Sequence, residues 1–406
     1  MTLMVSNSHS LTLPANQTVI LSPLPCFCPP RRVPLPAPLP PPLPALHQIL
    51  IRVTFVGINQ LDLIQARGGY KLPPGASDVL GLEVSGTVVQ AGPDCRKGFA
   101  DGDEVMALLS AGGYAEFVAV DERTVMPAVP GLSQAENAAI PESFITAYGL
   151  LFFTAQVKAG DNMLVHAGAS AVGQCLIQMA SRRGARVVAT TRSPEKVEVC
   201  RKRGAAEVIV LSNANFTHKA LSAGVKDWSS VEQYRYYHSV FDPVGAHYLE
   251  SNIDALLTDG TLVLYGLLNN SGEHAMTTPA LLGKILAKRI SILPSTLRSR
   301  DIYYKADLMQ CFMGDPVCGH SQLGKDLRIG ADVYRGDVAK MSNTIAESGY
   351  GGHMVVQVDS IFPLEEVLSA HAKMRRSANV GKIVMSVSNS ATTIDWFAKQ
   401  LNEIKF

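Results

Sequence analysis

The stretch from residue 162 to residue 191 constrains the fold of this chain more than any other. It begins with NMLVHAG, a continuous apolar run ending in glycine, and continues with VGQCLIQMASRRG, whose apolar residues recur at helical spacing up to Gly184. The run ARVVATT follows as a second buried strand. Strand, tight turn, helix and strand form a βαβ unit, and apolar runs return in AAEVIVL, HSVFDPVG and GTLVLYG. This alternation predicts an α/β fold with a doubly wound parallel sheet.

The residues before this unit follow another pattern. From Ile49, short runs such as ILIRVTFV, VSGTVVQAG and DEVMALL alternate with Gly, Pro and Asp turns, which predicts a small, mostly antiparallel, barrel-like domain. An apolar content of 47% with only 17% charged residues suits sheets covered on both faces. The predicted organisation is a proline-rich leader over 1–46, the first part of a catalytic domain over 47–143, a cofactor-binding domain over 144–297, a return to the catalytic domain over 298–388 and a tail over 389–406.

Charge and composition limit the partners of this chain. The formal net charge is +1, so no long-range field gathers phosphate backbones or anionic lipid. No apolar run reaches the roughly 18 residues of a membrane helix. We therefore expect neither nucleic acid nor a membrane as partner. Seven scattered cysteines fit a reducing compartment, and we expect the cytoplasm. The leader, with about every second residue proline between Pro23 and Pro44, is expected to be polyproline II or disordered.

The turn HAGASAVG, from His166 to Gly173, joins the first strand of the βαβ unit to its helix. A pyrophosphate binds at such a turn when small residues let the backbone approach it and free amides at the helix start point at the charge. The turn therefore predicts a dinucleotide site, with contacts from Gly168, Ser170, Ala171, Val172 and Gly173.

The end of the second strand predicts which dinucleotide binds. An NAD site usually places Asp or Glu there for the ribose 2′-hydroxyl, whereas this chain continues with TTRSPEK. Arg192, Ser193 and Lys196 are the candidates to bind a 2′-phosphate, which favours NADPH over NADH, and Thr190 is a further predicted cofactor contact. A second interpretation takes Ser193 as a helix N-cap and Lys196 as a solvated lysine. Both can hold, since a capped helix start is itself an anion site.

Several longer motifs resemble one enzyme family. GGYKLPPGASDVLGLEVSG, IPESFITAYGLL, LVHAGASAVGQCLIQMA, LYGLL and LRSRD are together similar to the zinc-free quinone oxidoreductases of the medium-chain dehydrogenase/reductase superfamily, and most similar to the p53-inducible branch. The resemblance runs from about Ile49 to Val387 and implies a GroES-like catalytic domain beside a Rossmann domain. Zinc enzymes of the superfamily hold their metal with a cysteine and a histidine where this chain has Asn59 and Leu82. Leucine offers no lone pair, so we expect no metal.

Without a Lewis acid, the chemistry implied is transfer of hydride or electrons from NADPH to a small molecule that is already electrophilic, a quinone above all. Tyr70 is the candidate to donate to the acceptor oxygen, as the family's matching tyrosine implies, with Asn59 as a second donor and Asp62 holding the Asn59 loop. Packing for Tyr70, and an N-cap and turn pair for Asn59 and Asp62, are the alternatives.

The resemblance implies further cofactor contacts, with core packing, strand-end turns and a solvated lysine as alternatives. Thr146 would face the nicotinamide and its ribose, Gly266 and Leu267 would approach its carboxamide, and Lys382 would reach the phosphates. Asp242 completes the candidate cofactor site. A homodimer through the GTLVLYG and SILPSTL strand edges is also implied.

Two rival functions stay open. The first is a reductase of enones, enals or enoyl thioesters, which also needs a proton donor to carbon. The second is a weakly catalytic NADPH-binding protein with a structural or RNA-binding role. The chain also departs from the family, because the leader replaces the outer strands, Val210 and Leu211 replace an Asn-Tyr pair that helps hold the adenosine phosphate, and insertions occur near 228 and over 314–342.

Overall fold

The computed structural model describes residues 42–211, 236–268, 279–315 and 354–387. Most of the predicted leader, the C-terminal tail and nearly all of the two predicted insertions lie outside these residues. Within the described ranges, no helix is long and apolar enough to cross a membrane.

The first sheet is built from both ends of the described chain. Its seven strands follow the order β12-β13-β1-β2-β3-β5, with β4 also paired to β1. All pairs are antiparallel except β12 with β13, as expected for short runs joined by tight turns. The strands are β1 Gln48–Gly57, β2 Glu83–Ala91, β3 Glu104–Leu108, β4 Phe117–Asp121, β5 Val125–Pro127, β12 Val358–Pro363 and β13 Lys382–Ser386.

The second sheet is parallel and has six strands in the order β11-β10-β9-β6-β7-β8. With β6 counted as strand 1, this is the 3-2-1-4-5-6 order of a dinucleotide-binding sheet. Successive strands are added on one side of β6 up to β8 and then on its other side from β9, so the strand order reverses between β6 and β9. Ligands bind such sheets at the carboxyl ends of the strands beside that reversal. The strands are β6 Asn162–Val165, β7 Arg186–Thr191, β8 Glu207–Val210, β9 Tyr237–Asp242, β10 Leu256–Leu264 and β11 Ser291–Pro294.

Nine α-helices cover the sheets in the described residues. They are α1 Gln60–Ala66, α2 Gln134–Asn137, α3 Pro141–Tyr148, α4 Ala171–Arg182, α5 Val197–Lys202, α6 Leu249–Ala255, α7 Pro279–Lys288, α8 Ile302–Gly314 and α9 Val367–Arg375. A π-helical turn over Gly149–Thr154 extends α3. Helices α3, α4 and α8 share one apolar core with the inner strands of the parallel sheet, and α9 packs on the first sheet around Val367 and Ala370.

The architecture confirms the predicted fold class, a parallel Rossmann-type sheet combined with a mostly antiparallel β domain. The chain returns to the first sheet through β12 and β13, and this return positions the site. Gly381, just before β13, forms an isolated bridge with Ser170 of the turn before α4. The carboxyl ends of the parallel strands therefore face the first sheet directly.

Candidate active site

The turn from His166 to Gly173 is tightly packed, as its small residues predict. Ala167 adopts a φ of 51°, and the Ser170 hydroxyl caps α4 by accepting from the Gly173 amide at 3.0 Å. A Cβ on Gly173 would lie 2.4 Å from the Ala167 carbonyl oxygen, so only glycine fits there. Among the described residues, the amides of Ala171 and Val172 have no acceptor. The helix start thus offers two amides to an anion.

A crevice opens beside this helix start, between the two sheets. It is small, and its lining includes Ala171, Gln174, Ser143 and Lys382. The hydroxyl of Ser143 is buried without a hydrogen-bond partner in the described residues. Buried polar groups are nearly always paired, so this hydroxyl is suited to a ligand that enters the crevice. Free amides, a turn that tolerates no Cβ and an unpaired hydroxyl together fit a dinucleotide.

Four of the predicted cofactor contacts lie at or just after the end of β7. Arg192 is exposed, Ser193 is half-buried, and Lys196 reaches back so that Nζ donates at 2.8 Å to the carbonyls of Ser377 and Asn379. Burial lowers the pKa of the Lys196 ammonium. The buried hydroxyl of Thr190 is hydrogen-bonded to His166 Nδ1 at 2.9 Å, and its predicted cofactor contact stays a prediction.

The second interpretation of Ser193 holds in part. The residue precedes a 3-10 turn over Pro194–Lys196, with Pro194 at the first position. Its hydroxyl makes no capping hydrogen bond to that turn and is hydrogen-bonded to the Glu195 side chain at the end of β7.

Asp242 is fully buried at the end of β9, and its predicted place in the cofactor site stays a prediction. Oδ1 accepts from the amides of Val244 and Gly245 at 2.6 and 3.1 Å, and Oδ2 accepts from Asn252 Nδ2 at 2.9 Å. Asn252 Oδ1 in turn accepts from His166 Nε2 at 2.8 Å. Burial lowers the pKa of His166, which keeps the ring neutral. The chain of hydrogen bonds fixes the loops after β6, β7 and β9 relative to one another.

The remaining predicted nicotinamide contacts lie at the strand ends. Thr146 is half-buried on α3, and Leu267 is 62% exposed after β10. A Cβ on Gly266 would lie 2.9 Å from the Pro243 carbonyl oxygen, so the backbone there packs against the loop after β9.

Lys382 lies in a buried network with Asn59 and Glu83. Its ammonium is 2.6 Å from Glu83 Oε1 and donates to Asn59 Oδ1 at 2.7 Å, while Asn59 Nδ2 donates to Glu83 Oε1 at 2.9 Å. The side chains of Lys382 and Glu83 are 4% and 0% exposed. Both polar groups are therefore paired within the network, and the predicted contacts of Lys382 with the cofactor phosphates and of Asn59 with an acceptor stay predictions.

Asp62 holds the Asn59 loop, as predicted. Its carboxylate accepts from the backbone amides of Asn59 at 2.7 Å and Gly81 at 3.0 Å, and the side chain is fully buried. Asn59 is the N-cap of α1, as the alternative interpretation predicts. Burial raises the pKa of Asp62 to about 6, because desolvation outweighs the two amide hydrogen bonds. Both carboxylate oxygens are committed to the backbone, so Asp62 positions the loop.

Tyr70 stacks on Arg298, a residue that the sequence interpretation did not select. The guanidinium carbon lies 4.8 Å from the centre of the half-buried Tyr70 ring. Arg298 Nε donates to the Ser110 carbonyl at 2.7 Å, and Nη2 donates to Gln65 Oε1 at 2.6 Å. The residue belongs to the quoted motif LRSRD, in which Arg300 and Asp301 follow within three positions, so no local signal distinguished it. Cation–π contact of this kind orients the phenol.

Glu142 and Lys305 are two further buried charges that were missed. Glu142 begins α3 inside IPESFITAYGLL, and its backbone amide donates to Glu83 Oε2 at 2.9 Å. Lys305 Nζ donates to the Arg298 carbonyl at 2.9 Å and to Ser110 Oγ at 3.2 Å. A charged residue within an otherwise apolar helical segment predicts a buried charge, which is rare in proteins and often functional. Glu142 could have been selected on this ground.

The two positions compared with zinc ligands are filled differently here. Leu82 is fully buried, and the Asn59 side chain is bound to Glu83 and Lys382. No group of three or more His, Cys, Asp or Glu side chains that could hold a metal occurs in the described ranges. A lysine ammonium beside Glu83 supplies the positive charge at this point, so these residues do not fit a divalent cation.

Comparison with known proteins places these features in context. Residues 45–131 match the family model "Alcohol dehydrogenase GroES-like domain", and residues 171–311 match "Zinc-binding dehydrogenase". Quinone oxidoreductase of Mus musculus is 33% identical over 183 residues, which cover 45% of this chain and 55% of the mouse protein. The chain thus spans just over half the length of that relative. Human synaptic vesicle membrane protein VAT-1 homolog-like is 28% identical over 86% of this chain and 76% of its own.

Solved structures share the whole architecture. An NAD-dependent alcohol dehydrogenase matches with a TM-score of 0.64 and 26% identity, covering 87% of this chain and 95% of its own. The human VAT-1 homolog-like protein matches with a TM-score of 0.60 and 26% identity, covering 86% and 92%.

Proposed function

Because this chain belongs to the medium-chain dehydrogenase/reductase superfamily of oxidoreductases, we propose that it reduces quinones with NADPH and without zinc. The observation that carries the proposal is the buried Lys382–Glu83–Asn59 network. It closes the place where a metal would need ligands, and it lies against the crevice beside the dinucleotide turn. Hydride chemistry on an electrophilic acceptor is what such a site can support.

The residues that would hold the cofactor surround the crevice. The free amides of Ala171 and Val172 would bind the pyrophosphate, and the Ser143 hydroxyl would accept or donate a hydrogen bond inside the crevice. When bound, NADPH supplies a hydride to an acceptor. Gly173 keeps the turn close enough for these contacts, and Thr146, Gly266 and Leu267 would line the nicotinamide end.

The preference for NADPH over NADH rests on the end of β7. Arg192, Ser193 and Lys196 offer positive charge and a hydroxyl there, and no carboxylate replaces them at the strand end. A 2′-phosphate gains charge-assisted hydrogen bonds from such groups. Lys196 would bind it with its remaining N–H, since two are used by carbonyls of the 377–379 segment.

Tyr70 would contact the acceptor, with Arg298 holding its ring. The phenol can donate to the oxygen on which negative charge develops, a contact worth about 2.7–4 kcal/mol for a well-placed donor. The aromatic face also suits a flat quinone. The similarity to mouse quinone oxidoreductase favours the same acceptor.

The experiment combines binding and chemistry on the full-length protein. Fluorescence titration with NADPH and NADH measures affinity and preference, and stopped-flow absorbance then follows NADPH oxidation by a small quinone or a matched enal. We expect tighter NADPH binding and turnover of the quinone. Tyr70→Phe should slow quinone reduction and leave NADPH affinity unchanged, and Lys196→Met should narrow the preference for NADPH.

Each of the two alternative functions predicts a different result in this experiment. Turnover of enals but not quinones would identify an enone or enal reductase. Tight NADPH binding without turnover of any acceptor would favour the weakly catalytic binding protein.

Assembly and compartment form a second part of the proposal. The edge strand β11 carries Ile292, 36% exposed, and the neighbouring helix α7 carries Leu286, 79% exposed. We propose a homodimer through this edge, and light scattering tests it, with a monomeric mass as the contrary result. The four cysteines in the described residues are free thiols, in keeping with a reducing cytoplasmic setting.

A further inference from the structure

Glu142 carries a buried carboxyl group that the proposed function has not used. The residue is 9% exposed in the first turn of α3, and its carboxyl oxygens accept no hydrogen bond from the residues that the structure describes. The backbone of the same residue is held by Glu83, so its position is fixed. An ionised carboxylate is costly in such surroundings, which favours the neutral acid.

Charged groups surround Glu142 from every element packed against it. The acidic groups within electrostatic reach are Asp62 on α1 and Glu83 on β2. The basic groups are Arg298 before α8, Lys305 on α8 and Lys382 on β13. Burial raises the pKa of Glu142 to about 7, and the Glu83 carboxylate adds to the increase more than either lysine opposes it. The group therefore exchanges its proton near neutral pH.

The position of Glu142 links the two halves of the candidate site. The next residue, Ser143, lines the crevice beside Ala171 and Lys382. On the other side, Arg298, whose charge acts on Glu142, stacks on Tyr70. Glu142 is thus the sequence neighbour of a crevice-lining residue and lies within electrostatic reach of the arginine that stacks on Tyr70.

The neighbouring acids cannot perform the same task. Asp62 uses both oxygens to accept backbone amides, and Glu83 is paired with the Lys382 ammonium at 2.6 Å. Two carboxyl groups in different environments commonly divide into one that stays charged and one that carries a proton. Here Glu83 is the charged member, and Glu142 is the member with a proton to give.

We propose that Glu142 delivers the proton that completes reduction of the acceptor. The inference rests on the proposed function. Reducing a quinone to a hydroquinone consumes one hydride, which oxidises the nicotinamide, and one proton. The electron pair of the hydride leaves negative charge on a quinone oxygen. The O–H bond of Glu142 then breaks as an O–H bond forms on that oxygen, and the remaining carboxylate regains a proton from water.

The test uses Glu142→Gln, which keeps the shape of the side chain and removes its acid. The exposed Glu104→Gln is the matched control. Infrared spectra of the nucleotide-free protein between pH 5 and 9 should show a protonated carboxyl band that disappears with a midpoint of about 7, and that band should be absent from Glu142→Gln alone.

Kinetics supply the second readout. Quinone reduction by the wild type should fall by about tenfold for each pH unit above the midpoint. Glu142→Gln should be about 100-fold slower at low pH, without this pH dependence and with NADPH affinity unchanged.

Two outcomes would overturn the inference. One is a Glu142→Gln variant whose quinone reduction keeps the wild-type rate and pH profile. The other is a carboxyl band with a midpoint near 7 that persists unchanged in Glu142→Gln, or the lack of any such band in the wild type. Failure of the proposed function itself is separate, because the wild type would then bind NADPH weakly or reduce no quinone.

Discussion

Replacing Lys382 by methionine should destabilise the fold far more than it weakens cofactor binding. The variant keeps an unbranched apolar stem in a site that is 4% exposed and leaves Glu83 fully buried without its ammonium. Removing one partner of a buried ion pair costs about 3–5 kcal/mol. The amides of Asn59 and Glu142 still donate to Glu83 at 2.9 Å, which places the expectation near the lower limit, about 3 kcal/mol.

The assay is urea unfolding at pH 7, followed by circular dichroism, for four proteins. These are the wild type, Lys382→Met, Glu83→Gln and the double variant. The double variant removes both charges and should lose less stability than the two single losses added together, because no buried charge is then unpaired. Lys284→Met is the matched control, since that lysine is 37% exposed beside Glu250 and Asp254 and such pairs contribute about 0–1 kcal/mol.

Lys382→Met also distinguishes between two roles of Lys382, which are the buried ion pair seen in the structure and the phosphate contact predicted from the sequence. If the ammonium binds the cofactor phosphates, Lys382→Met should weaken NADPH binding strongly and leave unfolding nearly unchanged. The buried pair predicts the reverse order of effects. Stability within about 1 kcal/mol of the wild type, which is the range of an exposed pair, would refute the reasoning.

Three further predictions follow from single contacts. Gly173→Ala places a Cβ 2.4 Å from the Ala167 carbonyl oxygen, so the turn must shift; NADPH affinity should fall by roughly tenfold in fluorescence titration, equal to about 1.4 kcal/mol, and an unchanged affinity would contradict this. Glu142 has a folded pKa raised from 4.5 to about 7, so its contribution is fully present below pH 4.5 and about 3 kcal/mol is lost as the pH rises to 7. The free energy of unfolding in urea, measured at pH 4.5 and pH 7, should fall by that amount in the wild type but not in Glu142→Gln. An equal change in both proteins would contradict the prediction. Arg298→Lys loses the planar group under Tyr70 and should raise the quinone KM several-fold without changing NADPH affinity, whereas an equal rise in both would indicate general damage.

The parallel sheet was predictable because the sequence patterns that define its strands and helices are local. Apolar runs of strand length, separated by a helical pattern, defined β6, α4 and β7 before any contact was known. Right-handed crossovers then leave few ways to order the strands. The dinucleotide turn was predictable for the same reason, since the residues that shape it lie within eight positions of one another.

The charged centre of the site was not predictable because its partners are remote in sequence. Lys382 meets Asn59 across 323 positions, and Arg298 meets Gln65 across 233. Periodicity reports which face of a strand is buried, but it carries no information on which buried charge will neutralise another. The same limit applies to Thr190 and Asp242, whose side chains are hydrogen-bonded to His166 and Asn252.

The identity of the buried cation sets the chemistry that this site can support. A metal ion accepts an electron pair and lowers the pKa of a bound alcohol or water. The ammonium of Lys382 has no vacant orbital, and it is already hydrogen-bonded to Glu83 and Asn59, so it cannot take that role. Under the proposed function the acceptor is therefore electrophilic before it binds, and we propose that a side chain supplies its proton. Glu142 is a buried acid whose carboxyl group accepts no hydrogen bond from the described residues, and the two proposals consequently depend on the same arrangement of charges.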